Sequence, residues 1–305
     1  MKIFVTGATG FIGSALVREL IDAKYQVLGL ARSDAGAKSL AAAGAQVHLG
    51  DLKDLESLRS GTAASDGVIH LGFIHDFSKF AENCEIDKRA IETLGSALEG
   101  SARPLLVTSG LATVAEGRIP TEQDAPLPTS PSYPRASEVT AEALLKRGVR
   151  ASVVRLPQVH DTVKQGLVTY AIAVAREKGL SAYVGDGRNR WAAVHLLDAA
   201  RLYRLALEKQ EAGARYHAVA EEGVPVRDIA QAIGRGLNVP VVSKSPAEAA
   251  AHFGFLGMFA SRDLTGSSVQ TQERLRWRPS GPGLIADLDG MNYSEPAARA
   301  ARYSS

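Results

Sequence analysis

Three groups of residues in this chain have types and spacings that suit chemistry: a glycine trio at the start, an arginine–serine pair after it, and hydroxyl and imidazole groups further along. Gly7, Gly10 and Gly13 recur at i, i+3 and i+6 in Thr6-Gly7-Ala8-Thr9-Gly10-Phe11-Ile12-Gly13. The apolar run Ile3-Phe4-Val5 precedes them and Ser14-Ala15-Leu16-Val17 follows. A buried strand that turns through glycines into a helix leaves backbone N–H groups facing a space that takes a pyrophosphate. Thr9, Phe11 and Ile12 complete what reads as a dinucleotide-binding loop. A second apolar run, Gln26 to Leu30, follows after one helix length, as a βαβ unit requires.

The second group selects the dinucleotide. About twenty residues beyond such a loop, a carboxylate at the end of the second strand binds the ribose hydroxyls of NAD. Here that strand ends Leu30-Ala31-Arg32-Ser33, so alanine stands where the acid belongs. A guanidinium and a hydroxyl suit a 2′-phosphate, which a carboxylate repels. The expected cofactor is therefore NADP, held by Arg32 and Ser33; the alternative is that Arg32 is a solvated loop residue.

These groups need a scaffold, and the apolar pattern supplies one. Strand-like runs at 2–6, 26–31, 45–49, 67–72, 104–109 and 151–156 alternate with helix-compatible segments. That alternation predicts an α/β fold, a doubly wound parallel Rossmann sheet covered on both faces. Residues 1–160 are expected to form the cofactor domain, completed by a core strand near 215–220. Residues 161–293 are expected to form a smaller, interleaved substrate-covering lobe, and 294–305 a flexible tail. Pro134 is expected in the first turn of a helix that Gly148 stops.

Composition excludes several classes. The 305 residues carry a formal charge of +2 with no long basic or acidic block, so no nucleic-acid partner is expected. The apolar runs are strand-sized, far short of a membrane span. Cys84 is the single cysteine, which excludes an internal disulfide and a cysteine-rich metal site. The histidines show no helix-spaced ligand pair, so no metal is expected. The chain reads as cytoplasmic.

Taken together, the glycine loop, Gly50-Asp51-Leu52, His70-Leu71-Gly72-Phe73, Gly185-Asp186-Gly187, Val194-His195-Leu196-Leu197-Asp198 and Leu275-Arg276-Trp277-Arg278-Pro279 resemble the extended short-chain dehydrogenase/reductase family over nearly the whole chain. The resemblance implies that Asp51 accepts from the adenine amino group, with Leu52 beside it. It implies that Leu71, Gly72 and Phe73 flank the nicotinamide ribose, and that the chain at Pro157, Val159 and His160 passes near the nicotinamide. It also implies a homodimer through helices within 79–100 and 134–147. Ala90, Leu94, Ala97 and Leu98 would supply that surface, or else an ordinary core stripe.

The family's catalytic serine, tyrosine and lysine are all altered: Gly110, Pro134 and Glu138 stand at their positions. Tyr133, one residue away, supplies a phenol that a neighbouring Glu138 carboxylate would keep protonated, a proton donor rather than a base. Ser109 either orients a substrate carbonyl or makes a strand-terminal hydrogen bond. His75, paired with Asp76, is a second candidate proton donor. Trp191 stands where many family members carry a diphosphate-binding arginine, and its apolar face points to an uncharged substrate; Arg188 or Arg190 would restore a phosphate contact by a register shift. The alternative is that Trp191 fills the junction between lobes. His160 is expected to line the pocket and His195 to be a satisfied interior imidazole.

The leading expectation is an NADPH-dependent reductase of a small, mainly apolar aldehyde or ketone. The alternatives are a sugar epimerase or dehydratase and a non-catalytic NADP-binding regulator.

Overall fold

The computed structural model describes residues 1–113, 118–131 and 133–294. The tail expected at 294–305 lies, beyond Ser294, outside the described residues. The strands are β1 (Lys2–Thr6), β2 (Gln26–Ala31), β3 (Gln46–Leu49), β4 (Gly67–His70), β5 (Pro104–Gly110), β6 (Arg150–Leu156), β7 (Gln158–His160), β8 (Ser181–Val184), β9 (Arg190–His195), β10 (Arg215–His217), β11 (Glu221–Pro225) and β12 (Val241–Lys244).

Among the described residues, seven of these strands form one parallel sheet in the order β3-β2-β1-β4-β5-β6-β10. The order reverses between β1 and β4, which opens a crevice at their C-terminal ends. Strand alternation feeds two apolar layers. Ile3 and Val5 of β1 join one face with Val27, Ile69 and Val154, while Phe4 joins the other with Leu28, Val68 and Val153. The first face is covered by α1 (Phe11–Asp22) and, later in the chain, by the helix Leu196–Lys209; α2 (Asp34–Ala42) lies beside β2 and β3. The second is covered by α3 (Leu55–Ala63), α4 (Phe80–Ser96) and α5 (Ser137–Lys146).

Ala90, Leu94 and Leu98 are fully buried in that second layer, so their stripe is core and does not supply a dimer surface. The helix expected from Pro134 starts instead at Ser137. Ser130 and Tyr133 exchange backbone hydrogen bonds of 3.1 and 3.0 Å, and that closed turn holds the chain out of the helix until then. Gly148, at φ +86°, does stop it.

Pro157 separates β6 from β7 and marks where the chain leaves the large sheet. β7 pairs with β9, and β9 with β11, in a three-stranded sheet; β8 pairs with β12. The helices α6 (Val168–Lys178) and α8 (Val226–Leu237) pack on these smaller sheets around Val168, Ile172, Trp191, Ile229, Ile233, Phe259 and Leu284, and the helix Leu196–Lys209 between them is α7. β10 returns to the edge of the main sheet, so the second half of the chain both covers the crevice and closes the sheet. No described helix is long and apolar enough to cross a membrane.

Candidate functional site

A cavity of about 350 Å³ lies where the C-terminal ends of β1, β4 and β5 meet the smaller sheets. Its walls gather segments that are far apart in sequence. Gly7, Thr9, Gly10, Phe11, Ile12 and Gly13 form one end, with Arg32, Asp51 and Leu52 beside them. Leu71, Gly72 and Phe73 form the floor, and Ser109, Tyr133, His75, Pro157 and Val159 line the other end. Ser33, His160 and Trp191 are absent from the lining.

The glycine loop is sterically compelled. Gly7 sits at φ +67°, and a Cβ there would lie 2.8 Å from the Gly72 backbone nitrogen, so the end of β1 and the end of β4 touch backbone to backbone. A Cβ on Gly13 would overlap the Gly7 carbonyl, which fixes how closely α1 approaches the turn. α1 has no side-chain cap and no acidic residue in its first turn. Its first-turn N–H groups, which a helix cannot satisfy internally, thus open on the cavity at the positive end of the helix dipole. Lys164 lies opposite, its Nζ 5.9 Å from the Phe11 ring centroid, with its pKa lowered by burial.

Arg32 stands at the end of β2, half exposed, its Nε 3.8 Å from Asp51 Oδ2. Ser33 caps α2, its Oγ accepting from the Gly36 N–H at 3.2 Å.

A buried polar chain runs beneath the cavity floor. The Gly72 N–H donates to Thr6 Oγ1 at 3.2 Å, and Thr6 Oγ1 is 2.8 Å from His70 Nδ1. His70 Nε2 lies 3.1 Å from Asp87 Oδ1, and Ser137 Oγ donates to Asp87 Oδ2 at 2.6 Å. Arg135 Nε in turn donates to Ser137 Oγ at 3.0 Å. The carboxylate can only accept, so the His70 proton is on Nε2 and Thr6 donates to Nδ1; every group in the chain is then satisfied. The result ties the cofactor-loop strand to Arg135, whose guanidinium lies 4.5 Å above the Phe73 ring centroid and lines the cavity.

Tyr133 reaches the cavity with its ring edge-on to Phe80 at 5.7 Å and to Phe259 at 6.5 Å. Its pKa is raised by burial, with Arg135 acting in the opposite sense. The phenol is therefore protonated near neutrality, as expected, but for a different reason. Glu138 points away into the protein, where its carboxylate accepts from Arg155 Nε at 2.9 Å, Arg155 Nη2 at 2.5 Å and Arg215 Nε at 2.8 Å. Arg155 is fully buried, and this pairing is what makes its burial tolerable. The charged groups that act on Tyr133 are Arg135 and, more weakly, Arg262.

The expected His75–Asp76 pair does not form. Asp76 turns back to cap the short helical turn Phe77–Lys79, accepting from the Ser78 N–H at 3.1 Å and hydroxyl at 2.6 Å. His75 faces the cavity, with its ring edge-on to Phe73 at 5.3 Å. Desolvation among these aromatic walls, then the charges of Arg135 and Lys164, push its pKa down to about 4. At neutral pH it is a neutral imidazole and not the imidazolium donor that the sequence suggested.

Both expected substrate residues point elsewhere. Trp191 is buried in the core beneath the smaller sheets, opposite Val224 on β11, so the indole fills that core and says nothing about substrate charge. His160 is fully buried with Nδ1 2.6 Å from Asp287 Oδ2, which ties β7 to the helix Leu284–Asp289. His195 caps α7 by accepting from the Leu197 N–H at 3.3 Å. Arg190 pairs with Asp263 at 3.5 Å and Arg188 with Asp186 at 3.6 Å, and neither lines the cavity.

Arg135, Lys164, Tyr170 and Phe259 line the cavity without having been expected there. Arg135 carried one signal, its place two residues after Tyr133; the others carried none, because nothing local distinguishes them from ordinary surface or core residues.

The glycine cradle, the strand order and the cavity at the switch point define a dinucleotide-binding α/β protein. Residues 3–220 match the model of the NAD dependent epimerase/dehydratase family, and this chain belongs to that family. An uncharacterized protein of Schizosaccharomyces pombe is 49% identical over 296 residues, covering 96% of this chain and 100% of that protein. A Stigmatella aurantiaca protein named 4-hydroxy-2-methyl-3-oxo-4-farnesyl-3,4-dihydroquinoline-1-oxide ketoreductase is 28% identical over 270 residues, covering 83% of this chain and 80% of its own. Among solved structures, the dTDP-glucose 4,6-dehydratase of Streptomyces venezuelae shares the fold, with a TM-score of 0.75, 20% identity and 96% of each chain covered.

Proposed function

We propose that this chain is an NADPH-dependent reductase of a mainly apolar aldehyde or ketone, with residues 1–160 holding the dinucleotide and 161–293 covering the substrate. The observation that carries the reading is Tyr133: a protonated phenol, with no hydrogen-bond partner for its hydroxyl among the described residues, facing the same cavity as the glycine cradle. The residues suit the dinucleotide. The uncapped start of α1 and Lys164 offer positive charge to its phosphates, Arg32 and Ser33 flank the 2′-phosphate, Asp51 meets the adenine, and the Leu71–Phe73 backbone flanks the nicotinamide ribose. Reduced nicotinamide, when bound, supplies the hydride that reaches the carbonyl carbon.

The chain's own part is the proton. Tyr133 gives its phenolic proton to the carbonyl oxygen, and Ser109, at the end of β5, orients that oxygen. Arg135, whose charge lowers the Tyr133 pKa against the effect of burial, offsets the phenolate left behind until solvent reprotonates it. A phenol held protonated favours reduction over alcohol oxidation near neutral pH. The ketoreductase relative supports this direction, and the placement of Arg188 and Arg190 outside the cavity weighs against a nucleotide-diphosphate substrate.

The test is NADPH consumption with a panel of aldehydes and ketones, comparing the native chain with Tyr133→Phe. The variant should lose about 10²–10⁴-fold in kcat with NADPH affinity unchanged. Equal turnover by both would remove Tyr133 from the mechanism. Tight NADPH binding with no turnover of any carbonyl would make the chain a non-catalytic binding protein.

A further inference from the structure

Resting on the reductase reading, we infer that the substrate is an aromatic carbonyl compound that also bears a carboxylate, its ring lodged among the cavity's aromatic side chains and its carboxylate on the Arg135 guanidinium.

Three observations converge on this ligand. The first is the state of Arg135. Its Nε is spent on Ser137, which is itself anchored to buried Asp87, so the group is held in place before any ligand arrives. Its terminal nitrogens have no carboxylate partner among the described residues. A planar fork fixed at one nitrogen and open at the other two presents the bidentate geometry that a carboxylate accepts.

The second is the distribution of charge. Among the described residues lining the cavity, Asp51 is the carboxylate, and it lies at the far end, beside Arg32. Lys164, set over Phe11 at the start of α1, lies close enough to His75 to lower its pKa as well. Arg135 and Lys164 therefore leave a positive surplus around His75, which, with its pKa near 4, is itself uncharged at neutral pH. A low-dielectric pocket lined by more cationic than anionic side chains selects an anion.

The third is the shape of the apolar wall. Phe77 stacks on Phe255 at 4.4 Å with only 7° between ring planes, and Tyr170 abuts both edge-on at 5.6 and 5.0 Å. Phe73, Phe80 and Phe259 also line the cavity, and Phe80 meets Phe77 at 5.9 Å, so this part of the wall is a cluster of rings in mutual contact across the two halves of the chain. Such a cluster offers ring faces and edges that an aromatic ligand can stack on or abut.

The test separates this inference from the reading beneath it. NADPH-loaded protein is titrated calorimetrically with 2-naphthoate and with 2-naphthamide, which has the same shape without the charge. Naphthoate should bind at least about tenfold more tightly, a margin that Arg135→Gln abolishes and Arg135→Lys keeps in part. Equal binding of the two by the native protein, or a margin that survives Arg135→Gln, overturns the inference. In parallel, kcat/KM is compared for 4-formylbenzoate and 4-methylbenzaldehyde, where the acid should be favoured by a similar factor. Equal reduction of both overturns the inference and leaves the reductase reading standing. Arg135-dependent binding of naphthoate with neither aldehyde reduced overturns the reductase reading and leaves the carboxylate site standing.

Discussion

Removing the Arg32 guanidinium tests the choice of cofactor most directly. A hydrogen bond to a charged group contributes about 1.5–3 kcal/mol. The Arg32 side chain is 46% exposed, so solvent screens it, and the low end of that range is the appropriate figure. About 1.5 kcal/mol corresponds to roughly tenfold in affinity. Arg32→Ala should therefore raise the Kd for NADPH about tenfold while moving that for NADH by less than about twofold, because only NADPH carries the 2′-phosphate. Asp51, with a carboxylate oxygen 3.8 Å from Arg32 Nε, works in the other direction: it competes for the guanidinium and repels a phosphate. Asp51→Asn should widen the preference for NADPH. The assay is a nicotinamide-fluorescence titration of each variant with both coenzymes at low and at 1 M salt. The difference between coenzymes should shrink at high salt, where charges are screened beyond about 3 Å. Parallel losses for the two coenzymes in Arg32→Ala, or tighter NADH binding by the native chain, would refute the reasoning.

Other consequences follow from the same geometry. Gly13→Ala should abolish binding of both coenzymes, and Gly10→Ala should weaken it less. A Cβ at 13 overlaps the Gly7 carbonyl, whereas one at 10 comes within 3.2 Å of it; equal effects in a binding titration would show that the cradle is not set by that contact. Glu138→Lys, which restores the family's residue type at that position, should destabilise the fold by about 3–5 kcal/mol in urea unfolding rather than restore activity, because it sets a third cation beside Arg155 and Arg215. A stable, more active variant would contradict the buried pairing. Burial and Arg155 hold His217 down to a pKa of about 3, against an ordinary 6.5. Its contribution to stability is therefore complete above pH 6.5 and is lost as pH falls toward 3, because the unfolded chain takes up the proton first. The urea midpoint should drop between pH 7.5 and 4.5, and His217→Gln should flatten that slope while lowering the midpoint at pH 7.5. An unchanged slope would mean that other groups govern the acid limb.

The sequence by itself determined the features set by near neighbours along the chain. The alternation of Ile3, Phe4 and Val5 demands a strand with two apolar faces, and the spacing of Gly7, Gly10 and Gly13 demands a turn that only glycine can make before a helix. Those constraints act within a few residues, so the sheet and the glycine end of the cavity could be read from them, while the expected strands 67–72 and 215–220 end earlier, at His70 and His217. Tertiary packing decided the other end. Trp191 and Tyr133 are both aromatic residues close to an altered family position, yet one is sealed in a core and the other faces the cavity. Glu138 and Arg135 lie three residues apart, but helix geometry and buried Arg155 turn the carboxylate inward, while Ser137 and Asp87 hold the guanidinium on the cavity wall. His70 and Asp87 come from different elements and meet beneath Gly72. Which way a side chain points depends on what the rest of the fold leaves open to it, and that is a sum over contacts between residues distant in sequence that no local pattern contains.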